Sequence, residues 1–152
     1  MTQEKLMKDR MVVRTILFSI TFIALIVFIA LYADEKKRVQ ETFQNRYEAN
    51  LERVEEDIQS YLEAEGDYDM RYTRLLADMS TAKEFAFLIR NFDDKQIIVN
   101  EMYTVLLKYP EQMRQEERLK AMQTAVHDIL RHLDQGYEEA EALVADVDKL
   151  GH

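Results

Sequence analysis

No cysteine occurs in the 152 residues. Disulfides, cysteine-ligated zinc and a thiol nucleophile are therefore excluded. Glycine appears three times and proline once. So few turn-formers disfavour a β-rich fold with many tight turns. Histidine is scarce too, at His127, His132 and His152. The first two are five apart, whereas paired metal ligands on one helix face sit three or four apart. Thr124 and Ile129 stand three places before them, so neither completes the Glu-x-x-His pattern of a two-metal bundle. Asp128 lies four before His132, the spacing of an ordinary surface ion pair. No Ser-His-Asp arrangement, Gly-rich phosphate loop or basic aromatic stripe is present. The carboxylate runs "EED" at 55–57 and "EEAE" at 138–141 read as solvated helix faces, without the concave setting that acid catalysis needs. The expectation is a non-enzymatic protein with no metal or other cofactor; a membrane-bound hydrolase finds no residues to carry it.

Positive charge is short beyond the first 33 residues. Those hold four bases and two acids of the 20 and 29 in the whole chain, so residues 34–152 keep 16 and 27, a net of −11. A surface this acidic repels phosphate backbones, which excludes nucleic acid as a partner class.

What the chain has in abundance is apolar residues early and helix formers late. Thr15 to Ala33 is a run of nineteen residues without a charge. As a helix it reaches roughly 28 Å, close to the hydrocarbon thickness of a bilayer. Arg14 can snorkel at one end and Tyr32 suits the interface at the other. Ser19 and Thr21 can bond to the preceding turn. A cleavable signal is the rival reading, but its apolar core is shorter, and a cut after Ala33 would put Leu31 where a small residue is wanted. The boundaries expected are a basic tail at 1–14, a transmembrane helix at 15–33 and an acidic helical domain at 34–152. Basic residues flank the span almost equally. Long domains translocate largely regardless of charge, so the tail is expected in the cytoplasm and the domain outside it.

Beyond the span the pattern is helical throughout. Val39, Phe43, Tyr47, Leu51, Val54, Ile58 and Leu62 fall at steps of three and four, with no Gly or Pro before Gly66. One helix should therefore run from the span into the domain. A second, capped by Asp67 or Asp69, buries Tyr72, Leu75, Leu76, Met79, Ala82 and Phe85 or Ala86. A third, capped by Asp93 or Asp94, points Ile97, Ile98, Val105 and Leu106 inward, although its β-branched clusters also suit strands. A fourth starts at Pro110, buries Leu119, Met122, Val126, Ile129, Leu130 and Leu133, and ends at Gly136. A short fifth places Tyr137, Ala140, Leu143, Val144 and Val147 inward. Short loops make neighbours antiparallel. The fold class expected is all-α: one transmembrane helix continuing into an up-and-down bundle of about four to five helices.

Within it "EFAFLIRNF", Glu84 to Phe92, is apolar on more than one side. It reads either as a helix buried on two sides or as a docking patch. Phe87, Leu88 and Phe92, with Tyr109 at another helix end, are the candidate partner contacts; Tyr61 and Tyr68 are similar rim candidates. The function expected is a membrane-anchored adaptor or assembly subunit that binds a protein partner, with self-association the other partner class and lipid met through residues 15–33. The alternative is an extracytoplasmic domain that senses a small ligand between its helices. The short tail, Met1 to Arg14, offers that reading no output element.

Overall fold

The computed structural model of the chain describes residues 3–132 and 134–147. Leu133, His152 and the expected end of the last helix at 148–150 lie outside the described residues. Six helices and no strand are found among the described residues: α1 (Gln3–Leu62), α2 (Tyr68–Ala86), α3 (Asp93–Lys108), α4 (Pro110–Met113), α5 (Glu116–Leu130) and α6 (Gln135–Asp146). The chain divides into two units, Met1–Val39 and Gln40–His152.

The first unit is the N-terminal part of α1. Its large apolar side chains, from Met11 to Tyr32, are all exposed. It is long and apolar enough, by length and composition, to cross a membrane. The hydroxyls of Thr15, Ser19 and Thr21 each donate to the carbonyl four residues back, at 3.0, 2.9 and 2.9 Å. These three hydroxyls thereby need no water. Past the charge-free run, the Lys36 ammonium lies 4.3 Å from the Tyr32 ring centroid, and Arg38 pairs with Glu35 at 2.9 Å.

The second unit is an all-α bundle. The α1 stripe supplies its spine, with Tyr47, Leu51, Val54 and Ile58 fully buried. α1 neighbours α2 through Arg74–Asp57 and Phe43–Phe85, and α5 through His127–Glu55 and Gln123–Gln59. α3 packs between α2 and α6, and α6 against α5. The pairs α1–α2, α1–α5, α2–α3 and α5–α6 run antiparallel, whereas α3 and α6 run parallel: Lys95 meets Asp134 at their starts, and Val105 and Val144 line one pocket towards their ends. The turn between α2 and α3 and the turn between α5 and α6 thus share the end of the bundle where Gln40 stands. Across the core the Tyr72 hydroxyl donates to the Leu106 carbonyl at 2.7 Å, tying α2 to α3.

Several expectations need correcting. The segment Glu84–Phe92 is not one helix: α2 stops at Ala86 and a turn covers 87–92, with Asn91 in the left-handed region at φ 56°. Neither Asp67 nor the Asp93–Asp94 pair caps a helix by its side chain. Asp67 sits at the N-cap of α2 with φ 56°, while Phe92 holds that position for α3. Asp93 and Asp94 lie inside the first turn, where their charge meets the helix's positive end. In α3 Val105 and Leu106 point inward as expected, joined by Val99 and Met102, and Ile98 is half-buried against the core; Ile97 is exposed, because one residue back along the helix it falls off the face that Ile98, Met102 and Val105 share. The helix begun by Pro110 breaks after one turn. Gln115 is extended and α5 starts afresh at Glu116.

Gly136 does not end that helix either. It is buried inside α6, at the contact with α5. A Cβ there would come within 2.5 Å of the Ile129 nitrogen and 2.7 Å of the Ala125 oxygen. The residue is needed for close approach of two helices, while the left-handed position after α5 falls to His132, at φ 60°.

Candidate interaction surfaces

The four residues singled out as partner contacts do not form one patch. Phe87 and Leu88 lie side by side on the turn after α2 and are 51% and 49% exposed. Phe92, at the end of the same turn, folds inward and meets Tyr47 and Tyr137 edge-on at 5.3 and 6.0 Å. Tyr109 is half-buried at the far end of α3, at the opposite end of the bundle. "EFAFLIRNF" thus divides: Phe85, Ile89 and Phe92 pack on the core, whereas Phe87 and Leu88 face outward. Tyr61 packs on Tyr72 and Tyr68, and Tyr68 stays exposed with its hydroxyl donating to the Ala64 carbonyl at 2.8 Å.

The turn is held by one side chain. The Gln40 amide donates to the Leu88 carbonyl at 3.3 Å, and its Oε1 accepts from the Arg90 backbone at 2.8 Å. Both groups at the turn would otherwise depend on water. Nothing in the local pattern of α1 marks Gln40 for this work, since its partners are about fifty residues away.

Beneath the turn is a small nook of about 110 Å³, walled by Phe92, Tyr47, Tyr137 and Ile129, with Glu48 and Lys95 at its polar side. The Lys95 ammonium lies 4.9 Å from the Tyr137 centroid and pairs with Asp134 at 2.9 Å. Burial raises both tyrosines, Tyr47 well above its ordinary value and Tyr137 to about 12, so both stay neutral. His132 is exposed, with Nδ1 4.0 Å from Glu48 rather than beside Asp128, because α5 has ended two residues before it. His127 reaches the other way, to Glu55 at 2.9 Å.

A larger groove of about 550 Å³ runs between α5 and α6. Ala121, Ala142 and Leu143 make its floor. Arg118 and Glu139 also line it. Arg118 Nη2 meets the Asp146 carboxylate at 3.1 Å, and Gln135 donates to Glu139 Oε1 at 3.0 Å. The remaining atoms, Arg118 Nη1 and Glu139 Oε2, are buried without a hydrogen-bond partner. A buried donor and acceptor left this way cost free energy until something pairs with them. Composition offered one hint: α6 is rich in small residues, with Gly136, Ala140, Ala142 and Ala145.

The carboxylates of 55–57 are not simply a solvated face. Asp57 is 3% exposed, between α1 and α2. Its Oδ1 accepts from Arg74 at 2.8 Å, while its Oδ2 has no donor. Burial, with the Asp78 carboxyl beside it, holds its pKa above the usual carboxylate value against the lowering pull of Arg74. The signal lay in the spacing: Asn50, Val54 and Asp57 form a second buried line at the edge of the apolar stripe. Among the described residues no group of three His, Cys, Asp or Glu side chains is placed to hold a metal ion. The chain matches no protein-family model, no curated protein and no solved structure.

Proposed function

We propose that this protein is a single-pass, membrane-anchored adaptor or assembly subunit, non-enzymatic, whose acidic bundle docks a protein partner. Residues 15–33 sit in the bilayer, residues 1–14 in the cytoplasm and the bundle on the other side. The observation that carries the docking reading is the groove between α5 and α6, lined by Ala121, Ala142 and Leu143 and flanked by Arg118 and Glu139. The small side chains of Ala121 and Ala142 allow close approach of a polypeptide, and Arg118, Glu117, Glu139 and Asp146 offer it charge along the groove. The anchor keeps the groove near the membrane, where partners tethered to the same surface meet it at high local concentration.

The test is co-purification from detergent extract, comparing the natural chain with Ala142→Arg and with Arg118→Ala. A stoichiometric protein that both substitutions release supports the reading. A partner retained by both variants, or no partner at all, refutes it. A second reading, the ligand-sensing domain, draws on the enclosed nook at Tyr47 and Tyr137. A small molecule that co-purifies with the bundle and is lost on Tyr137→Phe would favour it over the adaptor.

A further inference from the structure

We propose that the turn Phe87–Arg90 is a membrane-contact element: Phe87 and Leu88 enter the headgroup layer of the bilayer that holds the anchor. This rests on residues 15–33 being that anchor.

Phe87 is the one phenylalanine of the bundle that is exposed; Phe43, Phe85 and Phe92 are at least half-buried. The two apolar side chains are not outward because the turn is loose. Ile89 packs on the core beneath them, and Gln40 holds the turn by the Leu88 carbonyl and the Arg90 backbone N–H. Leu88 N–H also donates to the Phe85 carbonyl at 3.0 Å. The turn is a fixed platform that presents two apolar groups, and something other than water should meet them.

Chain connectivity says what that is. Gln40, which grips the turn, stands seven residues after Ala33, the last of the charge-free run. Seven residues cover about 10 Å as helix and at most about 25 Å fully extended. Headgroups occupy roughly the first 5–8 Å beyond the hydrocarbon. The Gln40 end of the bundle therefore cannot leave the vicinity of the membrane, whatever tilt the bundle takes. An apolar pair there meets lipid at no further entropic cost of bringing the two together. Interfacial segments bury apolar faces to about this depth. Arg90 follows at the same turn and is exposed, a donor suited to phosphate. An apolar contact also escapes the repulsion that a net charge of −11 on residues 34–152 brings toward anionic lipid.

The chain has no tryptophan, so one introduced indole reports alone. The full chain carrying Phe87→Trp, reconstituted in phosphatidylcholine vesicles, is compared with Tyr68→Trp, whose site lies at the other end of α2, about 27 Å away by helix rise. Leu88→Trp provides a second reporter if the first misfolds. Trp at 87 is expected to emit further to the blue than Trp at 68 and to lose intensity when the lipid carries bromine high on its acyl chains. A blue shift without bromine quenching means that a protein surface or a second copy covers the site, and overturns the proposal. So does emission at 87 equal to that at 68. Alkaline carbonate extraction of the same vesicles tests the anchor separately: release of the chain overturns anchor and contact together, whereas a retained chain with an unquenched indole overturns the contact alone.

Discussion

The hydroxyls of Tyr47 and Tyr137 meet at 3.1 Å inside the bundle, ninety residues apart in the chain. Two hydroxyls bring two protons and make one bond between them, so one proton is left over. Ionising either ring there is opposed by burial. The unfolded chain loses these protons near pH 10, the native one only as pH reaches about 12 for Tyr137. Stability from this pair is complete below pH 10 and declines as pH rises through that window. Alkaline denaturation followed by circular dichroism should show the decline, and Tyr137→Phe should make it shallower.

Gly136→Ala sets two effects against each other. Helix propensity alone favours alanine by about 1 kcal/mol. The new Cβ, however, meets backbone atoms of Ile129 and Ala125 at 2.5 and 2.7 Å, and backbone cannot swing aside as a side chain would. Separating α5 from α6 should cost about 2–3 kcal/mol, outweighing propensity. Thermal unfolding of the detergent-solubilised chain should register a clear drop in Tm; an unchanged Tm would mean the helices are not seated this closely.

Asp57 gives the bundle an acid-side dependence of the opposite kind from most carboxylates. Its folded pKa is raised, so the native state holds a proton that the unfolded state has released. Stability therefore falls as pH rises above the free-carboxylate value and recovers as pH falls back through that window. Asp57→Asn keeps the shape and removes the titration. Urea unfolding between mildly acidic and neutral pH should show a flatter profile for the variant, with no loss of stability at neutral pH.

Phe87→Ala and Phe92→Ala separate surface from core within one turn. Phe92 bridges Tyr47 and Tyr137, and truncating it should cost about 2 kcal/mol, less than a fully buried ring. Phe87 is half exposed, and its loss should stay within about 0.5 kcal/mol. Denaturant midpoints of the two variants would show the difference directly. Equal costs would return Phe87 to the core.

Sidedness can be read with a single thiol, because the chain has none. Glu65→Cys places one on the exposed loop after α1. In intact cells a membrane-impermeant maleimide should label it, and labelling only after lysis would reverse the proposed orientation.

The all-α class, the apolar rod and the register of α1 were all legible along the chain, because each depends on periodicity and composition within one helix. Tyr47, Leu51, Val54 and Ile58 could be read as buried from their spacing alone, and so could the faces of α2 and α5. What stayed hidden arose between helices. Gly136 looks like a terminator until α5 is seen pressed on it. Asp57 looks solvated until Arg74 and Asp78 arrive from α2. "EFAFLIRNF" cannot be sorted into core and surface before the turn after Ala86 is known, and Gln40 has no visible role until its partners at 88 and 90 are beside it. Periodicity reports which side of a helix avoids water. Only packing decides which residues meet across the gap, because a contact requires two surfaces and the sequence states each of them separately.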